Sequence, residues 1–195
     1  MEWVCYGDSW AAGLVTVQTI SYELAREQIK DGDHIAVCGT DLKAKVIWLF
    51  QWLAGLPFPS AKHCGIAYWS SGRLYMAHIV GTGNASIYLS QLKDHILVVS
   101  ATPVPFDHLN LDEALESHIN YAFLDLIPAG FRLLFSRITR ISKRLKFSSK
   151  PSEPMFCSQF TPFFYQLGGW RMDLPLDPSP SEMIQALGVK FVIKG

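Results

Sequence analysis

The sequence predicts an α+β fold in a single domain spanning residues 1–195, and three observations lead to this class. Short apolar segments with the composition of buried strands are interleaved with longer segments whose apolar residues recur at helical spacing. Turns that contain glycine join successive strands directly, which favours antiparallel pairing. The chain has neither internal repeats nor a clear interdomain linker. Helices and antiparallel strands are therefore expected to share one core.

The composition is that of a folded protein, with 49% hydrophobic and 17% charged residues. This balance excludes disorder as the overall state. The formal net charge is zero, so bulk electrostatics does not favour a nucleic-acid partner. Residues 1–8 lack the basic and apolar regions of a secretory signal, and no apolar run approaches the roughly 18 residues of a membrane span. We therefore expect a protein of the cytoplasm or of a virus particle, without a membrane span.

The cysteines are scattered along the chain and form no Cys-x-x-Cys pair; they are Cys5, Cys38, Cys64 and Cys157. This spacing argues against a zinc site and against a disulfide framework, and it favours a reducing compartment. We expect no metal and no other cofactor.

The first half of the chain alternates helical and strand segments after residues 1–20, which carry no clear signal. The predicted elements are a helix over Ser21–Ile29, a turn at Lys30–Asp33, a strand over His34–Cys38, a helix over Val46–Leu56, strands over Lys62–Trp69 and Arg73–Ile79 joined by a hairpin turn, a turn at Gly81–Asn84 and a short strand over Ser86–Leu89. The apolar face of the second helix consists of Trp48, Leu49, Trp52 and Leu53.

The second half is predicted to be mainly helical. Its elements are a strand over Ile96–Val104, helices over Leu111–Leu126 and Phe131–Leu145, a polar link over Lys146–Glu153, a helix that begins near Pro154, a loop over Asp177–Ser181, a short helix from Ser181 and a strand over Val189–Ile193. Acidic residues in the first turn of the helix that begins at Leu111 suit its dipole. Arginines and lysines line one face of the helix over Phe131–Leu145.

The helix that follows Pro154 carries the first candidate for chemistry, Cys157. Proline is tolerated in a first helical turn, and Gly168 and Gly169 predict the end of this helix. Cys157 then lies at the positive end of the helix dipole, where a thiol loses its proton more easily and becomes nucleophilic. The alternative is a small residue buried on an apolar helix, since free cysteine is often fully buried.

Two of the six histidines are candidates for the base that a nucleophilic cysteine needs. His63 begins an apolar strand, near a glycine that permits close approach of another chain or a substrate, and His78 lies on the partner strand. The other four, His34, His95, His108 and His118, are interpreted as solvated side chains at element edges or on a helix surface. A structural role remains the alternative for His63 and His78, because a register shift of one residue would send either imidazole to the opposite face.

Four short motifs occur in one order: Asp31-Gly32-Asp33, Lys62-His63-Cys64-Gly65-Ile66-Ala67, Tyr75 to Gly83 with His78, and Phe156-Cys157-Ser158-Gln159-Phe160. In this order they resemble the circularly permuted branch of the NlpC-type papain-like superfamily, over roughly residues 28–190. The resemblance implies a papain-like core there, with an antiparallel sheet or barrel packed against helices and the nucleophile at a helix N-terminus. Residues 1–27 would form an extension packed on this core.

By this resemblance Cys157 is the nucleophile, His63 the base and His78 the orienting group. The resemblance implies attack of the Cys157 thiolate on an amide or ester carbonyl, and an acyl-enzyme intermediate. The sequence departs from the family pattern at His78, where many permuted relatives carry a glutamate. Cys64 is interpreted as a packed small residue.

The expected activity is that of a cysteine peptidase or amidase acting on a peptide or a peptidoglycan fragment, as in a phage or bacterial protein. Two alternatives stay open: a thiol acyltransferase or deacylase acting on a lipid, and a non-catalytic structural or virion-associated protein with the same fold. Trp48, Trp52 and Phe58 would line an apolar groove in the lipid alternative, or belong to a buried core helix. The basic face over Arg137–Lys150 would contact an anionic surface, or be a solvated helix face.

Overall fold

The computed structural model describes residues 18–39, 42–53, 61–80, 83–116, 157–171 and 178–194. Within these residues it contains a seven-stranded mixed sheet and five α-helices, which confirms the α+β class. The strands are β1 (Thr19–Ile20), β2 (His34–Cys38), β3 (Ala61–Ser70), β4 (Arg73–Val80), β5 (Gly83–Tyr88), β6 (Leu97–Ser100) and β7 (Phe191–Ile193). The helices are α1 (Tyr22–Arg26), α2 (Leu42–Leu53), α3 (His108–Glu116), α4 (Cys157–Leu167) and α5 (Pro180–Leu187).

The strand order in the sheet is β1-β7-β6-β2-β3-β4-β5. Only the short β1–β7 pair is parallel among the described strands, and the other neighbours are antiparallel. The β3–β4 hairpin turns at Ser71 and Gly72, both with positive φ (49° and 71°), as in the two-residue turns whose twist matches that of paired strands.

Successive side chains of each strand point to opposite faces of the sheet, and this alternation divides the core into two layers. Ile35 and Val37 of β2 pack with Ile29, beyond the end of α1, on one face of the sheet, whereas Ala36 packs with Ile184 of α5 on the other. The layer around α3 and α4 contains Ile66, Ala77, Ile79, Leu111, Phe160 and Phe164. Helix α4 is therefore held against the face of the sheet to which Cys64 also contributes.

The predicted turn at Lys30–Asp33 has a physical basis in the buried carboxylate of Asp33. This carboxylate accepts hydrogen bonds from the backbone N–H groups of Lys30 (3.0 Å) and Thr102 (3.2 Å), and it pairs with the Lys190 ammonium group at 2.9 Å. The bond to Thr102 also explains why β6 ends at Ser100 rather than at the predicted Val104. The backbone of Thr102 turns toward Asp33 and leaves the ladder.

Several predicted boundaries hold and others are wrong. The strand over His34–Cys38 is confirmed to the residue, and Gly169, with φ of 88°, lies just past the end of α4. The turn predicted over Gly81–Asn84 is wrong at its second half, since Gly83 and Asn84 pair with β4. The helix over Phe131–Leu145, its basic face and the start near Pro154 lie outside the described residues. So do residues 1–17 of the predicted extension over residues 1–27, whose described part forms β1, paired with β7, and α1.

One cysteine departs from the expectation of reduced thiols. Cys38 is disulfide-bonded, and its partner lies outside the described residues. The sequence spacing did not reveal this bond, because a single pairing between distant cysteines leaves no local motif. Within the described part of the chain, Cys64 and Cys157 are free.

Candidate active site

The β3–β4 hairpin brings His63 and His78 together. Nε2 of His63 lies 2.6 Å from Nδ1 of His78, a hydrogen bond whose donor is set by the tautomers, and the ring centroids are 4.8 Å apart in an edge-on arrangement. Gly65 makes this contact possible, because a Cβ there would meet the Cβ of His78 at 3.0 Å and collide with the carbonyl oxygen of Ala77. The bond to His78 leaves Nδ1 as the nitrogen of His63 that can face Cys157.

Cys157 is the first described residue of α4 and is 5% exposed. Its pKa is well below the ordinary thiol value. A hydrogen bond from the Cys64 thiol contributes most to this lowering, and the charge and hydrogen bond of His63 contribute next; together they outweigh burial, which acts in the opposite direction. The surroundings of Cys157 therefore favour the thiolate.

A bulge in β3 lies directly before His63. Consecutive strand residues point to opposite faces, so in a regular β3 Ala61 and Cys64 would lie on opposite faces, whereas both belong to one core cluster. The pairing of β2 with β3 shifts between Val37, opposite His63, and Cys38, opposite Ala61, which leaves Lys62 as the extra residue. Bulges re-aim neighbouring side chains and are common beside active sites.

Cys64, which the sequence predicts to be a packed small residue, is fully buried. Its thiol has a second role that the sequence did not reveal, because it donates to Cys157. Burial, followed by this hydrogen bond, raises the pKa of Cys64 well above the ordinary thiol value. The Thr161 hydroxyl, one turn along α4 from Cys157, contacts the Cys64 sulfur at 3.9 Å. The two thiols thus form a polarised pair, with the proton held on Cys64.

His78 is 8% exposed, and its pKa is lowered to about 4 by burial and then by the charge of His63. It is therefore neutral at physiological pH. A neutral imidazole can orient His63 through a hydrogen bond, but it does not offer the fixed negative charge that a glutamate would. No group of three or more His, Cys, Asp or Glu side chains in the described part of the chain is arranged to hold a metal ion.

The remaining histidines divide into exposed and buried ones. His95 and His108 are exposed, as predicted, and His118 lies outside the described residues. The prediction for His34 is wrong: its side chain is fully buried on β2, and neither ring nitrogen has a hydrogen-bond partner among the described residues. β2 lies between β3 and β6, and all of its residues are buried.

Gln51 is a structural residue near the site whose role the sequence does not predict. Its side chain is buried, donates to the Ala61 carbonyl at 2.8 Å and accepts from the Ser181 backbone N–H at 3.1 Å. These bonds connect α2 and the start of α5 to the β3 residues that precede His63. The one sequence feature that could have indicated this role is a polar side chain within an otherwise apolar helix.

The predicted apolar face of α2 points outward instead of into the core. Leu49 is 44%, Trp52 56% and Leu53 53% exposed, and Trp48 stacks on Trp52 with ring centroids 5.7 Å apart. The interpretation of α2 as a buried core helix is therefore wrong for this face. Phe58, the third aromatic residue of the predicted groove, lies outside the described residues.

Comparison with known proteins does not assign the chain to a family. No protein-family profile matches it, and no curated protein does. None of the helices in the described ranges has the length and apolar character needed to span a bilayer.

Proposed function

We propose that this protein is a cysteine hydrolase with a circularly permuted papain-like fold, which cleaves an amide bond in a peptide or a peptidoglycan fragment. One observation carries the proposal: Cys157, at the start of α4, is hydrogen-bonded to His63, which is bonded in turn to His78 at 2.6 Å. A nucleophile, a base and a group that orients the base are the parts that thiol-based acyl transfer requires. The chain order of the two histidines before the cysteine agrees with the permuted branch.

In the proposed reaction, the Cys157 thiolate attacks the carbonyl carbon of the amide. The negative charge moves to the carbonyl oxygen, where backbone N–H groups in the first turn of α4 stabilise it; such donors contribute about 3–4 kcal/mol each in measured systems. Protonated His63 gives its proton to the leaving amine as the carbon–nitrogen bond breaks. Water, deprotonated by His63, then attacks the acyl-enzyme and releases Cys157. His78 holds the His63 ring in position throughout.

Thiol titration tests this proposal directly. We expect the rate of Cys157 alkylation by iodoacetamide, followed on its own peptide by mass spectrometry, to rise with pH at a midpoint well below the ordinary value of about 8.5. In His63→Ala the midpoint should move upward, because one cause of the lowered pKa is removed. The exposed His95→Ala is the matched control and should behave as the wild type.

An ordinary thiol midpoint that does not respond to His63 would contradict the enzymatic proposal. It would favour the remaining alternative, a structural or virion-associated protein that keeps the fold without the chemistry. If the midpoint is low, Cys157→Ala should abolish hydrolysis of peptidoglycan fragments while the circular dichroism spectrum stays that of the wild type.

A second candidate is acyl transfer or deacylation on a lipid, by the same three residues. The exposed side chains of Leu49, Trp52 and Leu53 favour it, because contiguous exposed apolar side chains are typical of surfaces that contact other apolar surfaces. Gln51, between these residues in the sequence, ties α2 to the strand that carries His63. A lipid held against α2 would therefore lie on an element joined to the site.

A further inference from the structure

We propose that Cys64 and Cys157 form an oxidation site, at which hydrogen peroxide converts the two thiols into a reversible disulfide that blocks Cys157. The inference rests on the same reactive Cys157 that the proposed function needs, but it assigns a new role to Cys64. It requires a cysteine that can be oxidised, a second cysteine within reach and no competing thiol.

The two sulfurs are already neighbours. The Cys64 thiol donates a hydrogen bond to Cys157, and both residues belong to one buried cluster between β3 and α4. Thr161 fixes this arrangement from the helix side, since its hydroxyl contacts the Cys64 sulfur. The sulfurs need only close from hydrogen-bond contact to the S–S bond length of about 2.05 Å.

A third cysteine in this part of the chain, Cys38, does not compete, because its sulfur is already in a disulfide bond. Cys38 lies in the same cluster as Cys64 and Cys157, yet it is already disulfide-bonded. Of the described cysteines, only Cys64 can therefore react with an oxidised Cys157.

The chemistry has two balanced steps. The Cys157 thiolate attacks one oxygen of hydrogen peroxide; a sulfur–oxygen bond forms, the oxygen–oxygen bond breaks, and the hydroxide that leaves takes up a proton to become water. The sulfur of Cys64 then attacks the sulfur of the resulting sulfenic acid. A sulfur–sulfur bond forms, and the departing hydroxide combines with the Cys64 proton as a second water. Peroxide is reduced by two electrons and the pair of thiols is oxidised by two.

Cys64 decides whether oxidation is reversible. Without a partner thiol, a sulfenic acid is oxidised further to sulfinic acid, which ordinary thiols do not reduce. With Cys64 in contact, the disulfide forms first, and a small dithiol such as dithiothreitol restores Cys157. At 5% exposure Cys157 can still be reached by an oxidant as small as hydrogen peroxide.

The test uses the full-length protein treated with hydrogen peroxide and examined by intact mass and peptide mapping. In the wild type we expect the loss of two hydrogens, a linked peptide pair containing Cys64 and Cys157, and full reversal by dithiothreitol. In Cys64→Ser, which keeps a small hydrogen-bond donor but lacks the thiol, Cys157 should gain two oxygens that dithiothreitol does not remove. Cys64→Ala provides a second variant if the serine variant fails to fold.

Irreversible oxidation of Cys157 in the wild type, or a linkage that excludes Cys64, would overturn the inference. The measurement needs no activity, so it separates the two proposals. A disulfide that forms although the Cys157 midpoint is ordinary would support the oxidation site and reject the hydrolase. A low midpoint without a disulfide would do the opposite.

Discussion

His34 shows how strongly a single buried side chain depends on its neighbours. It lies on β2 opposite Ser100 of β6 and Ile66 of β3. In the part of the chain that the structure describes, the Ser100 hydroxyl is also buried without a hydrogen-bond partner. Burial without a partner disfavours the charged imidazolium, and the pKa of His34 is lowered to about 3. The folded protein therefore holds His34 neutral over a range in which the unfolded chain binds a proton.

We predict that His34 makes the protein sensitive to acid. The unfolded state binds the extra proton between its pKa of about 6.5 and the folded value of about 3, so the free energy of unfolding falls as the pH falls through this window, by at most about 1.4 kcal/mol per pH unit. His78 adds a loss of the same sign between about 6.5 and about 4. Urea unfolding between pH 7 and pH 4.5 measures the slope.

The variant His34→Leu separates the contribution of His34 to the acid sensitivity from that of His78. This change removes two buried nitrogens that have no hydrogen-bond partner within the described ranges. Stability at pH 7 should therefore be retained or increased, and the decline toward pH 4.5 should be shallower. The exposed His95→Leu is the control and should keep the wild-type slope. Equal slopes for His34→Leu and the wild type would reject a neutral, buried His34.

At the scale of elements, the contact between His63 and His78 in the β3–β4 hairpin depends on the glycine at position 65. Gly65 lies against Ala77 and His78, and an added Cβ would overlap the Ala77 carbonyl oxygen. Backbone atoms of two paired strands cannot give way as a flexible side chain can. The absence of a Cβ at Gly65 is therefore a condition for the bond between His63 and His78.

We predict that Gly65→Ala damages stability and site together. Overpacking should lower the free energy of unfolding by about 1–3 kcal/mol, measured by urea unfolding. The displaced His78 should also change the pH midpoint of Cys157 alkylation. Gly72→Ala is the matched control: a Cβ there meets nothing within 4 Å, and its φ of 71° should cost about 1 kcal/mol of strain without altering the thiol midpoint. Unchanged alkylation in Gly65→Ala would contradict the positioning role of this contact.

At the scale of the whole molecule, the exposed face of α2 gives the surface a defined apolar region. Leu24 and Leu109 are also exposed, but they lie on α1 and α3, whereas Leu49, Trp52 and Leu53 share one helix. Isolated exposed leucines are normal on protein surfaces, and a contiguous group is not. The surface of α2 is thus the one to test for contact with a lipid.

We predict that, if the substrate is a lipid, the protein binds vesicles of phosphatidylcholine and phosphatidylglycerol through α2. Burying a leucine or tryptophan side chain stabilises binding by about 1.5–3 kcal/mol, so Trp52→Ala or Leu53→Ala should weaken co-sedimentation by roughly tenfold or more. Leu24→Ala, which removes an exposed leucine on α1, should bind as the wild type does. Failure of the wild type to bind would reject the lipid candidate and leave the amide substrate.

Local information in the sequence was sufficient for the fold class and for the elements that carry the candidate residues. The strand over His34–Cys38, the hairpin turn at Ser71 and Gly72, and the end of α4 before Gly168 all follow from side-chain period and turn chemistry, which act over a few residues. The same information assigned Cys157 to a helix and His63 and His78 to paired strands.

Strand pairing and helix packing between residues distant in the sequence determined the features that local patterns did not predict. The bulge at Lys62 arises from the register between β2 and β3, and the contact of Cys64 with Cys157 depends on how α4 docks on the sheet. The burial of His34 and the outward face of α2 depend on which neighbours cover each element. A pattern of apolar residues states that a face is apolar but not whether another element covers it, because the covering residues are distant in sequence.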